Sequence, residues 1–261
     1  DALSPVKVTS ADFRAATDSG IETNMLDAMR AFVVKRGDLK TVIAGYPWFL
    51  DWGRDTLIAA RGLIAAREFR NDVKAIIRQF AMFAEQGTIP NIIHGDTVGN
   101  RDTSDAQLWL FTAVEDLCKA ERSNDFLKTE VRPGKTILDK LEEIAASLIA
   151  GTPNGIKTDP ASGLVFSPPH FTWMDTNYPA GTPREGYPVE IQALWFAALR
   201  FLSTVSATPE RWKTLAEKVR ASIRTLFLSD DGKYLSDCLH CSAGTPAAKA
   251  VKDDHIRPNQ I

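Results

Sequence analysis

Apolar positions recur with helical spacing along most of the chain. From about Glu22, Met25, Leu26, Met29, Phe32 and Val33 follow the i, i+3, i+4, i+7 pattern, and Gly37 is expected to stop that helix. The same reading predicts helices over 54–67, 71–85, 105–121, 131–150, 189–204 and 209–228. The third of these seven carries Val73, Ile76, Ile77, Phe80 and Phe83 on one stripe and stops at Gly87. The fourth is capped by Thr103 or Ser104 and carries Leu108, Trp109, Phe111, Leu117 and Cys118. About seven helices, no βαβ alternation and no sustained period-2 pattern point to an all-α class. Long and short connections alternate, which suits a layered helical ring better than a short-loop bundle.

The polar residues that interrupt this pattern are concentrated. Stretches 44–56, 87–104 and 170–189 each precede a helix, and Pro, Asn and Gly are expected to keep the middle one irregular. A turn-rich excursion over 151–169 offers a short hairpin at 155–166. Loops entering alternate helices of a ring gather on one side, so the three stretches are expected to form one cleft.

Their composition has a chemical meaning. The first holds Trp48, Asp51, Trp52, Arg54 and Asp55; the second leads through His94 and Asn91 to Asp105; the third holds His170, Trp173, Asp175, Arg184, Glu185 and Glu190. Splitting a glycosidic bond requires an acid for the leaving oxygen and a base or nucleophile on the opposite face of the sugar. Asp175 is the best acid, because its neighbours Trp173 and Met174 are apolar and would disfavour the charged carboxylate. Simpler roles compete. Asp51 or Asp55 would cap a helix with Arg54 in a local ion pair, and Asp175 would pair with Arg184. Glu190 either complements a helix dipole or binds sugar. Trp48, Trp52, Trp109 and Trp173 either wall a sugar site or pack in the core, Trp109 at least as readily in the core. The loop histidines His94 and His170 are expected to be solvated.

Length and charge narrow the class. The chain has 261 residues, room for one large domain, and a net charge of −2 with both signs interspersed. Nucleic-acid and membrane-surface binding are therefore not expected. No apolar run approaches the ~18 residues of a membrane span, and Asp1–Lys7 lack a signal peptide's apolar core. Three cysteines make no disulfide scaffold: Cys118 is expected to be a buried small hydrophobe, and Cys238-Leu-His-Cys241 lacks the context of a zinc or redox site. The cytoplasm fits this usage best.

Tyr46-Pro-Trp-Phe-Leu-Asp-Trp-Gly-Arg-Asp-Thr56 resembles the signature of the glucosidase domain of glycogen-debranching enzymes, and also the Trp-x-Arg-Asp loop of glucoamylases. Gly87-Thr-Ile-Pro-Asn91, Thr103-Ser-Asp-Ala-Gln-Leu-Trp109, Thr172-Trp-Met-Asp175, Pro183-Arg-Glu-Gly and Val189-Glu-Ile carry the same likeness in order, so the resemblance covers about 44–261. It implies an (α/α)6 toroid of which this chain supplies about the first half, with the remainder of the toroid as its missing partner. Residues 1–20 would then be a lead-in from a possible preceding domain, and 21–261 the N-terminal part of the glucosidase domain. It also implies an inverting exo-α-1,6-glucosidase acting on glycogen or another branched α-glucan, without cofactor or metal. Asp175 would be the general acid, and Arg54 and Asp55 would grip the glucose. Trp48, Asp51, Trp52, Asn91, Asp105, Trp109, Trp173, Arg184, Glu185 and Glu190 complete the expected substrate-binding set, and the catalytic base lies beyond 261. An α-1,4-acting glucoamylase, a trehalase-like glucosidase and a non-catalytic glycan-binding module are the alternatives.

Overall fold

The structure is a computed structural model that describes residues 20–45, 47–95, 97–176 and 181–260. The expected lead-in, apart from Gly20, and the motif residues Tyr46 and Tyr178 lie outside the described residues. Among those described there are seven α-helices: α1 (Ile21–Phe32), α2 (Gly53–Ala65), α3 (Arg70–Phe83), α4 (Ala106–Glu121), α5 (Ile137–Ala150), α6 (Val189–Val205) and α7 (Pro209–Leu226). Short strands join them. These are β1 (Val33–Arg36), β2 (Leu39–Val42), β3 (Asp51–Trp52), β4 (Ile92–His94), β5 (Thr97–Val98), β6 (Glu130–Arg132) and β7 (Lys135–Thr136), followed by β8 (Lys157–Thr158), β9 (Val165–Phe166), β10 (Gly186–Pro188), β11 (Cys238–His240) and β12 (Val251–Asp253). About half of the molecule is thus helical, with several small antiparallel sheets where the pattern predicts one short hairpin.

Three sequence expectations change for local reasons. The first helix ends at Phe32, and Gly37 instead turns the β1–β2 hairpin with φ +55°. The β-branched Val33, Val34, Thr41 and Val42 favour the extended pairing. The predicted helix 131–150 begins only at Ile137, because Pro133-Gly134 turns the β6–β7 hairpin ahead of it. Thr136 then opens the helix with a capping box: its hydroxyl accepts from Asp139 N at 3.2 Å, and its own N–H donates to Asp139 at 2.8 Å. Finally, 87–104 is not irregular throughout, since β4 and β5 join β3 in a three-stranded sheet with Asp51 opposite Ile93. The hairpin expected at 155–166 is present as β8–β9.

Alternate helices α2, α4 and α6 lie side by side; α3 packs behind α2 and α4, and α7 behind α6. Leu57, Ile76, Phe80, Leu108, Phe111 and Trp195 are fully buried between these layers, each burial stabilising by roughly 1.5–3 kcal/mol. Trp195 satisfies its indole N–H on Gly163 O at 3.1 Å. Among the described residues no helix is long and apolar enough to cross a membrane. Cys118 is buried in α4, where burial first and the charges of Glu121 and Glu115 second push its thiol up to about 11. The thiols of Cys238 and Cys241 face different backbone carbonyls, those of Arg184 and Thr245. No group of three or more metal-ligating side chains gathers among the described residues.

One polar cluster outside the helices predicts a pH dependence. Asp253 on β12 accepts from His255 Nδ1 at 2.5 Å, from Arg257 at 2.9 Å and from His240 Nε2 at 3.1 Å. Burial opposes its charge, yet these bonds outweigh that and hold the carboxyl well below the usual range. A depressed folded pKa stabilises the protein above the unfolded value of ~3.9, and the contribution fades as pH falls below it. Asp253→Asn is therefore expected to lower Tm at pH 7, with the gap to wild type closing towards pH 3. A gap that does not change with pH would exclude this linkage.

Candidate functional site

The three motif stretches enter α2, α4 and α6, the helices that lie side by side, and backbone bonds stitch the loops together. Gly53 N donates to Asn91 O at 2.9 Å, Asn91 N to Asn100 O at 2.9 Å, and Ser104 N to Phe171 O at 2.7 Å. The hydroxyls of Ser104 and Ser167 meet at 2.8 Å. Gly53 is required at the first junction, since a Cβ there would stand 2.5 Å from Pro90 O.

These loops enclose a cavity of about 390 Å³ lined by Trp52, Asn91, Asn100 and Asp102 on one side and by Pro169, His170, Phe171 and Asp175 on the other. Arg54, from the first turn of α2, ties the Asp175 wall of this cavity to the start of α4. Its Nε donates to Asp105 Oδ2 at 2.6 Å and its Nη1 to Asp175 Oδ2 at 3.0 Å. Asp105 is buried and also accepts from Thr103 Oγ1 at 2.8 Å. Burial alone would push the Arg54 guanidinium down, but the two carboxylates prevail and raise it, so it stays charged. Three buried polar atoms here have no partner among the described residues: Arg54 Nη2, the Asn91 amide oxygen and His170 Nδ1. Native interiors rarely leave such groups unpaired without a functional reason. A larger cavity of about 610 Å³ between α1, β2 and α2 is walled mainly by apolar groups such as Met29, Phe32, Val42 and Ile58, with Arg54 and Asp55 at its edge. The smaller cavity, with its converging polar groups, is the candidate site.

Asp175 differs from its sequence reading. It is neither enclosed by apolar groups nor paired with Arg184: its side chain is 39% exposed and its cation is Arg54. Arg184 has no free donor for it. Its guanidinium is fully buried, donating from Nε to Asp237 at 2.9 Å and from Nη2 to Glu190 Oε2 at 2.6 Å, with Nη1 bonded to Glu190 Oε1 and, at 3.2 Å, to Thr172 Oγ1. Arg184 therefore supports the loop that carries Asp175 and is shut off from solvent. Burial pushes the Glu190 carboxyl up despite this cation, and the residue stands in the first turn of α6, where a carboxylate complements the helix dipole.

The other expected residues divide. Trp52 and Asn91 line the cavity; Asp105 and Arg54 lie behind it, joined to its wall by the bond from Arg54 to Asp175. Asp51 is buried away from it in an ion pair with Arg36 at 2.5 Å, and α2 has no side-chain cap from Asp51 or Asp55. Asp55 is exposed and lines the larger, apolar cavity together with Arg54. Trp48 is 83% exposed. Trp109 packs on the core with Arg61 5.6 Å over its ring. Trp173 lies beside the site with its Nε1 on Asn259 Oδ1 at 2.6 Å, and Glu185 is half-buried with its carbonyl accepting from Cys241 N at 3.3 Å. Sequence reasoning missed Asn100, Asp102 and Phe171 as lining residues and dismissed His170. His94 is exposed as expected; His170 is not. The only signal that separates the two is His170's place two residues before Thr172-Trp-Met-Asp175.

Comparisons with known proteins show what the chain is similar to. Glycogen debranching enzyme from Saccharomyces cerevisiae (strain ATCC 204508 / S288c) is 24% identical over 236 residues, an overlap covering 68% of this chain and 15% of that protein. The chain thus spans a small part of that relative's length. A solved structure of an aspartate-to-asparagine variant of UGL with dGlcA-Glc-Rha-Glc superposes with a TM-score of 0.52 at 15% identity, over 95% of this chain and 66% of that one. That likeness concerns the fold. Residues 27–261 match the family model described as amylo-alpha-1,6-glucosidase, and on that match over nearly the whole sequence the chain belongs to the amylo-α-1,6-glucosidase family.

Proposed function

We propose that this chain is the N-terminal part of an (α/α)6 toroid in an inverting exo-α-1,6-glucosidase, which removes glucose stubs from glycogen-type branched glucans. The observation that carries the reading is the sharing of Arg54 between buried Asp105 and half-exposed Asp175 at the cavity where Asn91 and His170 hold unpaired polar atoms. Glucose hydroxyls both donate and accept, so one sugar ring satisfies such a mixed set. The side-by-side packing of α2, α4 and α6 supports the toroid. Residues 1–20 are a lead-in to it, the remainder of the ring is the partner of this half, and the cytoplasm is its compartment.

In this reading Asp175 Oδ2 stays on Arg54 Nη1 while Oδ1 carries the proton. That proton passes to the bridging oxygen as the bond to C1 breaks. Water adds to C1 from the opposite face and gives its proton to a base from the later part of the domain, about 6.5–9.5 Å from Asp175. Arg54 and Asn91 grip the ring hydroxyls, Asp105 holds Arg54 in place, and Trp52 covers a wall. Asp51 and Arg184 hold the loops rather than the sugar.

The test is glucose release from an α-1,6-branched limit dextrin by the full-length protein that carries this sequence, followed by proton NMR. The expected first product is β-glucose. Initial α-glucose would overturn inversion, release from linear α-1,4 chains alone would reassign the linkage, and glucan binding without release would leave a glycan-binding module.

A further inference from the structure

We infer that His170 is a sugar-binding, specificity-determining residue of the Asp175 cavity, with Nδ1 reserved for one hydroxyl of the bound glucose unit. The inference rests on the carbohydrate reading of that cavity. His170 lines the cavity together with Asn91, Trp52 and Asp175, and its Nδ1 is buried with no partner among the described residues. Its backbone is left-handed, φ +62°, and held there by its own N–H donating to Pro183 O at 2.9 Å.

Two separate costs thus meet at one residue. A residue with a Cβ carries a modest cost at this φ that glycine does not, although histidine, like asparagine, is found there more often than most. An imidazole nitrogen without a bond is also penalised by burial, where an apolar ring of similar size would not be. At His170 the two coincide on the wall of the cavity. Strain retained at a cavity wall marks a group held ready for a ligand. Asn91 adds the complement: its amide oxygen is equally unpartnered in the same cavity. A ring nitrogen and an amide together suit adjacent hydroxyls of a pyranose. The assignment does not depend on the tautomer of His170, since a hydroxyl donates or accepts as the nitrogen requires.

The experiment measures binding of methyl α-D-glucopyranoside and its 2-, 3-, 4- and 6-deoxy analogues by calorimetry, using full-length wild type, His170→Ala and His170→Gly, with Tm recorded for each. Loss of one hydrogen bond is expected to weaken the parent glucoside about three- to tenfold in His170→Ala. One deoxy analogue is expected to bind wild type and His170→Ala equally, because its contact is already gone. His170→Gly is expected to bind as weakly as His170→Ala while keeping or raising Tm, since glycine relieves the left-handed strain. Unchanged affinity in both variants overturns the inference. So does an equal loss for every analogue together with a lowered Tm in both variants, which would mark a structural role. Failure of wild type to bind any glucoside while remaining folded overturns the carbohydrate reading itself, a separate result.

Discussion

Asp175→Asn in the full-length protein is expected to cut glucose release from limit dextrin roughly 10²–10⁴-fold, the usual span for losing a general acid, while glucan binding and Tm stay close to wild type. The carboxamide is the same size and its oxygen still accepts from Arg54 Nη1, now at 3.0 Å from Asp175 Oδ2, but it has no proton to give. A substrate with a leaving group that needs no protonation, α-glucosyl fluoride, separates this role from mere positioning: the variant is expected to retain most of its wild-type rate there. An equal loss on the fluoride would remove Asp175 as acid. Arg54→Lys extends the argument. One planar guanidinium spans Asp105 and Asp175 through different nitrogens, a geometry that the single ammonium of lysine does not reproduce. Residues that act as a unit are non-additive, so adding Arg54→Lys to Asp175→Asn is expected to cost less than it does in wild type.

The helices were legible in the sequence because their apolar stripes are long and regular. The hairpin strands, two to four residues each, carry no such period. Val33–Val42 continues an apolar run into a strand pair, and only the turn at Gly37 betrays it. The site was half legible. Arg54, Asp105 and Asp175 stand in motifs whose order announces them, and the structure brings them into contact across separations of 51 and 121 positions. Asp51, Arg184 and Glu190 stand in the same motifs and look the same in one dimension. What removes Asp51 and Arg184 from a sugar-contacting role is a partner without any local signal, Arg36 for Asp51 and Asp237 for Arg184. Charge next to an aromatic residue therefore identifies the neighbourhood of the site, and only pairing tells which charges remain available to a ligand. The expectation for Asp175 differs from the structure for the same reason: the sequence offers only its neighbours Trp173 and Met174 as surroundings, whereas its partner is Arg54, 121 residues upstream.

The largest stability effect is expected at Arg184. Replacing it by alanine removes the cation between two buried carboxylates, Glu190 and Asp237. Asp237 keeps Arg257 at 2.9 Å and Asn259 at 2.7 Å; Glu190 loses its guanidinium altogether. Breaking a buried pair from one side costs about 3–5 kcal/mol, which for a domain of this size lowers Tm by roughly 6–20 °C. The pH dependence identifies the cause. Burial already raises the Glu190 carboxyl, and without Arg184 the rise is larger. A raised folded pKa destabilises above the unfolded value of ~4.3, and the penalty shrinks as pH falls towards it. The Tm deficit of Arg184→Ala is therefore expected to be larger at pH 8 than at pH 5, and Arg184→Ala with Glu190→Gln is expected to recover part of it. A deficit equal at both pH values would mean that lost packing, not an uncompensated carboxylate, is responsible. The same cation reaches Thr172 Oγ1 at 3.2 Å, and Asp237 reaches Trp173 through Asn259. Losing Arg184 thus loosens two of the attachments of the segment that ends at Asp175, so glucose release is expected to fall further in Arg184→Ala than its remaining folded fraction accounts for.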